Sequence, residues 1–525
     1  MSMIIRGYRD SLLFVGFLCV CCLFASGADS SSTNPFEISS PDTGFNVVDK
    51  FVLSGLQKEQ IRPAGLCSDA VFLRRVYLDV TGAMPEAEEV RRFLENPRQD
   101  KRVTLINRLL AESAYADYRT LKWCDLLRVK AEFPINLWPN TVQAYHRWIY
   151  DAMKDKMPYD QFVRQLLTSS GSNFRTPPVN FYRAVQGREP AAIASAVALT
   201  FLGERMDQWP ADRREGFAAF FSRIGYKDTA EWKEEIVYFK PSETPLTAMF
   251  PDGKRVTIPA DQDPREVFAG WLLAADNPRL SRAIVNRVWS WLMGRGLIHE
   301  PDDIRSDNPA VYPELLDTLA GELVKAKYDI NHIYGLILKS RTYQQSSIPR
   351  SDPARAEAKF ACYPVRRLEA ETLIDALCRI TGTRESYSSP IPEPFTFIPE
   401  DQRSIELADG SISSSFLELF GRPPRDTGLE SERNNATTET QRMHLLNSSH
   451  IQNKIQNSWK LRALVTAQRN NRPALIDSFY LMILSRYPTQ KERETAMAYL
   501  KSDPMAGSQD LAWALVNSKE FLYRH

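Results

Sequence analysis

Apolar residues recur every three to four positions along most of the chain, which is the period of amphipathic helices. Val103, Ile106, Leu109 and Leu110 keep that spacing behind Asp100, a helix-capping residue type. Pro85 opens another helix, with Glu86, Glu88 and Glu89 where the helix dipole favours negative charge. The same pattern predicts helices over 114–130, 141–155 and 159–169. Residues 189–203 are nearly all small and apolar, which predicts a buried helix, and 211–224 predicts one more. Near residue 230 the pattern changes. Trp232 to Phe239 is rich in β-formers, and Pro251-Asp252-Gly253-Lys254 has turn chemistry ahead of Arg255-Val256-Thr257-Ile258. A small hairpin is the only sheet predicted.

Helical spacing then resumes. Over 281–293, Ile284, Val285, Val288, Trp291 and Leu292 form one stripe, with Asn286 expected on the opposite face. Further helices are predicted at 312–326, 330–340, 367–381, 441–448, 453–467, 474–485, 490–501 and 509–522. Residues 382–435 hold six prolines and many polar groups. An excursion of that length inside a compact domain is expected to be functional or packed against the body. The fold class expected is mainly α, with helical domains at 51–240 and 263–525 joined by a hairpin-containing segment at 241–262. A leader at 1–28 and a flexible, Ser- and Asp-rich tether at 29–50 are expected ahead of them.

Composition narrows the function classes. The 525 residues are 43% hydrophobic and 25% charged, values that exclude a mainly disordered chain. Proline (33) outnumbers glycine (23), which favours stiff helix connections over a turn-rich β architecture. Lys and Arg total 66 against 65 Asp and Glu, so no bulk field draws the chain to nucleic acid or an anionic membrane. Arg6 and Arg9, the apolar run Leu12 to Phe24 and the small residues Ala25-Ser26-Gly27-Ala28 read as a secretory signal peptide. The expected location is therefore periplasmic or extracellular; the alternative is a membrane tether formed by the uncleaved segment. No later stretch is apolar for long enough to span a bilayer. Three of seven cysteines leave with the leader. Cys67, Cys124, Cys362 and Cys378 remain; export permits disulfides, and sequence does not choose among the pairings.

Standard catalytic motifs are missing: there is no G-x-S-x-G, H-E-x-x-H, Walker loop or G-x-G-x-x-G. Three segments carry concentrated polar chemistry. The first is His299-Glu300-Pro301-Asp302-Asp303, where Glu300, Asp302 and Asp303 could hold a divalent cation or His299, Asp302 and Asp303 could serve as acid and base. A loop pinned by Asp–Arg hydrogen bonds gives the same sequence. The second runs from Arg422 and Arg425 through Glu430, Glu432, Arg433, Asn434 and Asn435. Its guanidinium forks suit a carboxylated, sulfated or hydroxylated ligand, and equally suit internal ion pairs. The third holds His444 and His450, six apart, which is not the spacing that places two ligands on one helical face. Ten tryptophans could stack on sugars; most sit at the spacing of a helical core, and Trp138 in Asn136-Leu137-Trp138-Pro139-Asn140 is the exception, a candidate for ligand contact.

Taken together, several stretches carry a family resemblance. Phe72-Leu73-Arg74-Arg75-Val76-Tyr77-Leu78-Asp79-Val80-Thr81-Gly82 and Met157-Pro158-Tyr159-Asp160-Gln161-Phe162 resemble a domain of unknown function from secreted planctomycete proteins. Asn286-Arg287-Val288-Trp289, Gly294-Arg295-Gly296-Leu297, Arg341-Thr342-Tyr343-Gln344, Arg366-Arg367-Leu368-Glu369 and Asn517-Ser518-Lys519-Glu520-Phe521 resemble its usual companion, also of unknown function. The resemblance covers roughly 50–525. Longer relatives begin with a cytochrome-c-like domain, and many carry Cys-x-x-Cys-His after the helix that ends here in Phe201-Leu202-Gly203. This chain has Glu204-Arg205-Met206-Asp207-Gln208-Trp209-Pro210 instead, with neither thiols nor an imidazole for covalent haem. No cofactor is expected. The resemblance implies an exported protein associated with polysaccharide, so the expected function is binding of a cell-surface or extracellular glycan. The alternative is an extracytoplasmic hydrolase or lyase using the acids above with His444 or His450. A redox partner is the least supported reading.

Overall fold

The computed structural model describes residues 34–38, 43–500 and 503–525. The expected leader lies outside the described residues, as do 29–33 and 39–42 of the expected tether. The rest of that stretch is tied to the body. Glu37–Ile38 pairs antiparallel with Leu66–Cys67. The helix Val47–Lys58 starts in a capping box, Asn46 accepting from Val48 N while Asp49 accepts from Asn46 N.

The architecture is mainly α, with sheets of only two or three strands. The predicted hairpin is present as Leu246–Met249 paired with Arg255–Ile258, and Gly253 supplies the positive φ of its turn. It is not alone. Glu235–Phe239 is the middle strand of a three-stranded sheet, between Ile224–Asp228 and Gly171–Ser172. The helix expected to reach residue 224 stops at Ala218, and a 3₁₀ turn over Ala219–Phe221 leads into strand. The alternating burial of Ile224 and Gly225 decides that end: Gly225 lies under the ring of Tyr238, where a Cβ would sit 2.5 Å from Cζ. The region expected as one helix over 453–467 is two, because Ser458 caps a new start by accepting from Leu461 N.

Two apolar cores organise the helices. The first collects residues from Val48 to Tyr363 and draws in Ile391, Ala408 and Leu481 from further along the chain. The second runs from Leu368 to Phe521 and draws in Leu78 and Met84 from the N-terminal half. Ala248, Phe250 and Ile258 of the hairpin segment belong to the first core, so apolar packing passes through the segment at 241–262 rather than breaking there. The reason is the helix Arg279–Met293, which is buried over most of its surface, with Arg282 reaching solvent. Its Trp291 meets Trp123 edge to face at 6.2 Å, and its Trp289 meets Phe360 at 5.2 Å.

Asn286, expected on a solvent face of that helix, is fully buried. Its carboxamide closes the backbone of Ile298 from both sides: Ile298 N donates to Oδ1 at 2.9 Å, and Nδ2 donates to Ile298 O at 3.0 Å. Leucine at this position would leave a buried N–H and a buried C=O unpaired. Asn286→Leu should therefore lose about 2–3 kcal/mol in urea denaturation, whereas a surface asparagine would tolerate the change.

Candidate functional site

A continuous seam of buried charge lies between the two cores. Asp79, on the helix Asp69–Thr81, is fully buried and holds four partners. Arg366 and Arg524 donate to Oδ1 at 2.9 and 2.8 Å; the hydroxyls of Tyr343 and Tyr363 donate to Oδ2 at 2.8 and 2.9 Å. Arg524 also donates to the Tyr118 hydroxyl, which donates to Glu369 at 2.9 Å. Lys122 pairs with the other oxygen of Glu369. Arg433 then grips Glu371 with both nitrogens, at 2.7 and 3.0 Å, and Asp125 at 2.6 Å. Arg425 takes the remaining oxygen of Asp125 at 2.9 Å.

Burial alone would push the Glu369 carboxyl up, but Lys122, Arg433 and Arg524 outweigh it and hold the group well below the usual carboxylate range. Asp125 is held low against the same burial by Arg433, Arg425 and Lys122.

This seam occupies the guanidinium groups that the sequence offers as ligand forks. Arg425 and Arg433 face internal carboxylates. Arg422 lies 3.6 Å from Glu371 and donates to the carbonyls of Ile412 and Asp409. The backbone oxygens of Asn434 and Asn435 accept from Arg367. The irregular excursion is clamped onto the N-terminal half as well: Ala131 N donates to Asp409, Gly410 N to Val129 O, and Lys130 pairs with Asp426 at 2.6 Å.

The acidic bend and the excursion do meet. Asp302 is buried, pairs with Arg287 at 2.7 Å and accepts from Glu430 N at 2.6 Å. The Glu430 carboxyl accepts from the Trp291 indole, and burial raises its pKa. Glu300 and Asp303 turn to other arginines, Arg205 and Arg305, both at 3.2 Å. Among the described residues no three His, Cys, Asp or Glu side chains are grouped to hold a metal ion. Burial and Arg295 lower the pKa of His299, whose carbonyl accepts from Asn308. Glu432 accepts from Thr427. His444 and His450 lie 3.3 Å apart against Phe416, and His450 bonds Glu385 at 2.9 Å. Their partners are thus a separate set from those of His299, Asp302, Asp303, Glu430 and Glu432. All four cysteines of the described chain are free thiols, and burial raises Cys362 and Cys378 to about 11.

Trp138 stands at the centre of an aromatic cluster that no single stretch of sequence announces. Its ring meets Trp232 at 5.0 Å and Phe395 at 5.4 Å, and those two meet each other at 5.4 Å. Trp232 is 58% exposed and Phe395 44%. Phe133 and Phe397, on the same two loops, are 75% and 73% exposed. The Lys233 ammonium lies 4.9 Å from the Trp138 ring centre. Trp138 has φ 73° and ψ 146°, a backbone region that essentially only glycine populates without strain. The tight loop before it enforces this, with Leu137 N donating to Lys130 O and Trp138 N to Ala131 O, and Pro139 starts the next helix. Its indole N–H is buried with no protein acceptor among the described residues. Trp232 sits in a charged run, Glu231 to Glu235, and Phe395 and Phe397 among prolines; an aromatic in such a setting is the one sequence signal that could have singled them out.

The fold defines a class: two helical units sharing a buried charged seam. Residues 47–222 match the family model PSCyt2, described as a protein of unknown function (DUF1549), and residues 264–500 match PSD1, a protein of unknown function (DUF1553). The chain belongs with the proteins that carry these two domains in tandem, in this order. No curated protein and no solved structure matches it. The stretch Glu204 to Pro210 borders a groove without a cysteine or histidine among its lining residues, so these residues do not suit covalently bound haem.

Proposed function

We propose that the chain is an exported glycan-binding protein whose contact surface is the Trp138–Trp232–Phe395 cluster. The observation that carries this reading is the convergence of rings from three distant segments into an exposed surface, around a tryptophan held in a strained backbone. Strain of that kind costs stability, is held by the surrounding hydrogen bonds, and clusters at ligand-binding positions. The C–H face of a pyranose suits such a surface, because it buries apolar area against π faces while its hydroxyls reach polar groups at the edge. Lys233, Asn136 and Asn140 stand next to the rings in sequence and are exposed to serve as that edge. Binding is favoured over hydrolysis because Glu300, Asp302 and Asp303 face arginines, Glu430 and Glu432 accept from Trp291 and Thr427, and the histidines form a separate group in which His450 bonds Glu385.

The test is affinity electrophoresis and calorimetry against a panel of plant and algal polysaccharides, with Trp232→Ala as the variant. A ligand of the native protein should lose about tenfold or more in affinity, since a stacking aromatic is worth on the order of 1–2 kcal/mol, while the thermal midpoint stays close to native. Equal affinity in native protein and variant would remove this surface from the binding site, and a panel with no ligand would remove the function.

A further inference from the structure

On another face, a groove of about 1030 Å³ runs between Glu204 to Arg213 on one wall and Ile298 to Asp317 on the other. We propose that it is a binding site for an oxyanion, a carboxylate, sulfate ester or phosphate carried on a small polar ligand. The inference is independent of the aromatic surface.

The groove's charge is unbalanced where it is most enclosed. Glu204 is buried, and two guanidinium groups converge on it, Arg279 at 2.8 Å and Arg213 at 3.3 Å. Two positive charges thus share one negative charge. The Arg213 guanidinium lies 3.9 Å from the ring centre of Trp209, which fixes its plane and leaves it oriented for a bidentate partner. Its Nε is buried and has no protein acceptor among the described residues, and the same holds for Nε of Arg205.

The arginines nearer the rim are held loosely. Arg205 reaches Glu300 at 3.2 Å, and Arg305 reaches Asp303 at 3.2 Å and Asp307 at 3.5 Å. Glu300 is 50% and Asp307 72% exposed, so these pairs are screened by water and readily exchange one carboxylate for another. An arriving oxyanion can therefore recruit Arg205 and Arg305 from the rim while Arg213 and Arg279 hold it below. On the walls Gln208 offers an amide to hydroxyls of the carrier, and Asn308, whose Nδ2 donates to the carbonyls of His299 and Asp303, offers its Oδ1. Five arginines line the groove with four carboxylates, and Glu300 pairs with Arg205 at its rim, so the local excess of positive charge is at Arg213 and Arg279 around Glu204, where an anion rather than a cation is favoured.

Calorimetry on the full chain tests this with inorganic sulfate, inorganic phosphate, trigalacturonate and neutral cellotriose. The oxyanions should bind and cellotriose should not, and affinity should fall as salt rises from about 50 to 300 mM. The strongest oxyanion identifies the source chemistry. Arg305→Gln, exposed and free of core contacts, should weaken binding severalfold with an unchanged thermal midpoint; Arg213→Gln should weaken it about tenfold or more. Trp232→Ala should leave it intact. Equal binding of cellotriose, absence of oxyanion binding, or native affinity in both arginine variants would overturn the proposal.

Discussion

Asp79→Ala should destabilise the protein by about 3–5 kcal/mol, the cost of leaving a buried charge uncompensated. Arg366 and Arg524 both direct a guanidinium nitrogen at its Oδ1, Arg524 buried and Arg366 mostly so. Tyr343 and Tyr363 would lose the acceptor of their hydroxyl protons. Asp79→Asn, which keeps the shape and one acceptor oxygen, should recover part of the loss. Guanidinium denaturation followed by far-UV circular dichroism and by tryptophan fluorescence measures both variants. Asp79 lies in the first matched domain, whereas Arg366 and Tyr343 lie in the second and Arg524 beyond it. The native chain should accordingly unfold in one transition seen alike by both probes. A loss under about 1 kcal/mol in Asp79→Ala would mean that water or rearranged arginines compensate, and the seam would not be what joins the halves.

What the sequence made legible follows from the range of the interactions involved. Helix existence was readable because period and caps act over a few residues: Ser113–Leu126, Tyr159–Thr168 and Pro313–Lys325 lie within a residue or a turn of their predicted bounds. The hairpin was readable from Pro251-Asp252-Gly253 for the same reason. The seam was not. Asp79 meets Arg524 across 445 residues, and Asp125 meets Arg433 across 308. Nothing local separates an arginine that faces water from one that faces a carboxylate three hundred residues away. The excursion at 382–435 was rightly singled out for its density of arginine and acid, and internal pairing, one of the two readings that sequence left open, is what the geometry of Arg422, Arg425 and Arg433 displays. An apolar stripe does not settle where Asn286 lies: on its helix only Arg282 is exposed, and Asn286 is buried because its carboxamide pairs with the backbone of Ile298, twelve residues away. Trp138 was legible as unusual, but its neighbours Trp232 and Phe395 become a cluster only after the chain has folded.

Arg433 tests the seam through acid rather than through denaturant. It binds Glu371 in bidentate fashion, contacts Asp125 and lies 3.8 Å from Glu369, so Arg433→Ala would leave three carboxylates with fewer counter-charges in a buried place. Stability at neutral pH should fall by about 3–5 kcal/mol. The pH dependence carries more information. Glu369 and Asp125 have folded-state pKa values below their ordinary ones, because their cationic partners outweigh burial. Groups of this kind add stability above the unfolded pKa of about 4, and that stability disappears as pH falls through the lower folded value. Without Arg433, burial weighs more and both carboxyls rise. Protonation in the folded state then begins nearer neutrality, the favourable linkage shrinks or changes sign, and acid unfolding should move upward by about one pH unit. Circular dichroism against pH for native protein, Arg433→Ala and Arg433→Lys resolves this. Lysine restores the charge but not the fork, so it should recover most of the acid shift and only part of the neutral-pH stability. If both variants unfold at the same pH as the native chain, Lys122 and Arg425 alone suffice to hold the carboxylates ionised, and the bidentate grip of Arg433 contributes shape rather than charge balance.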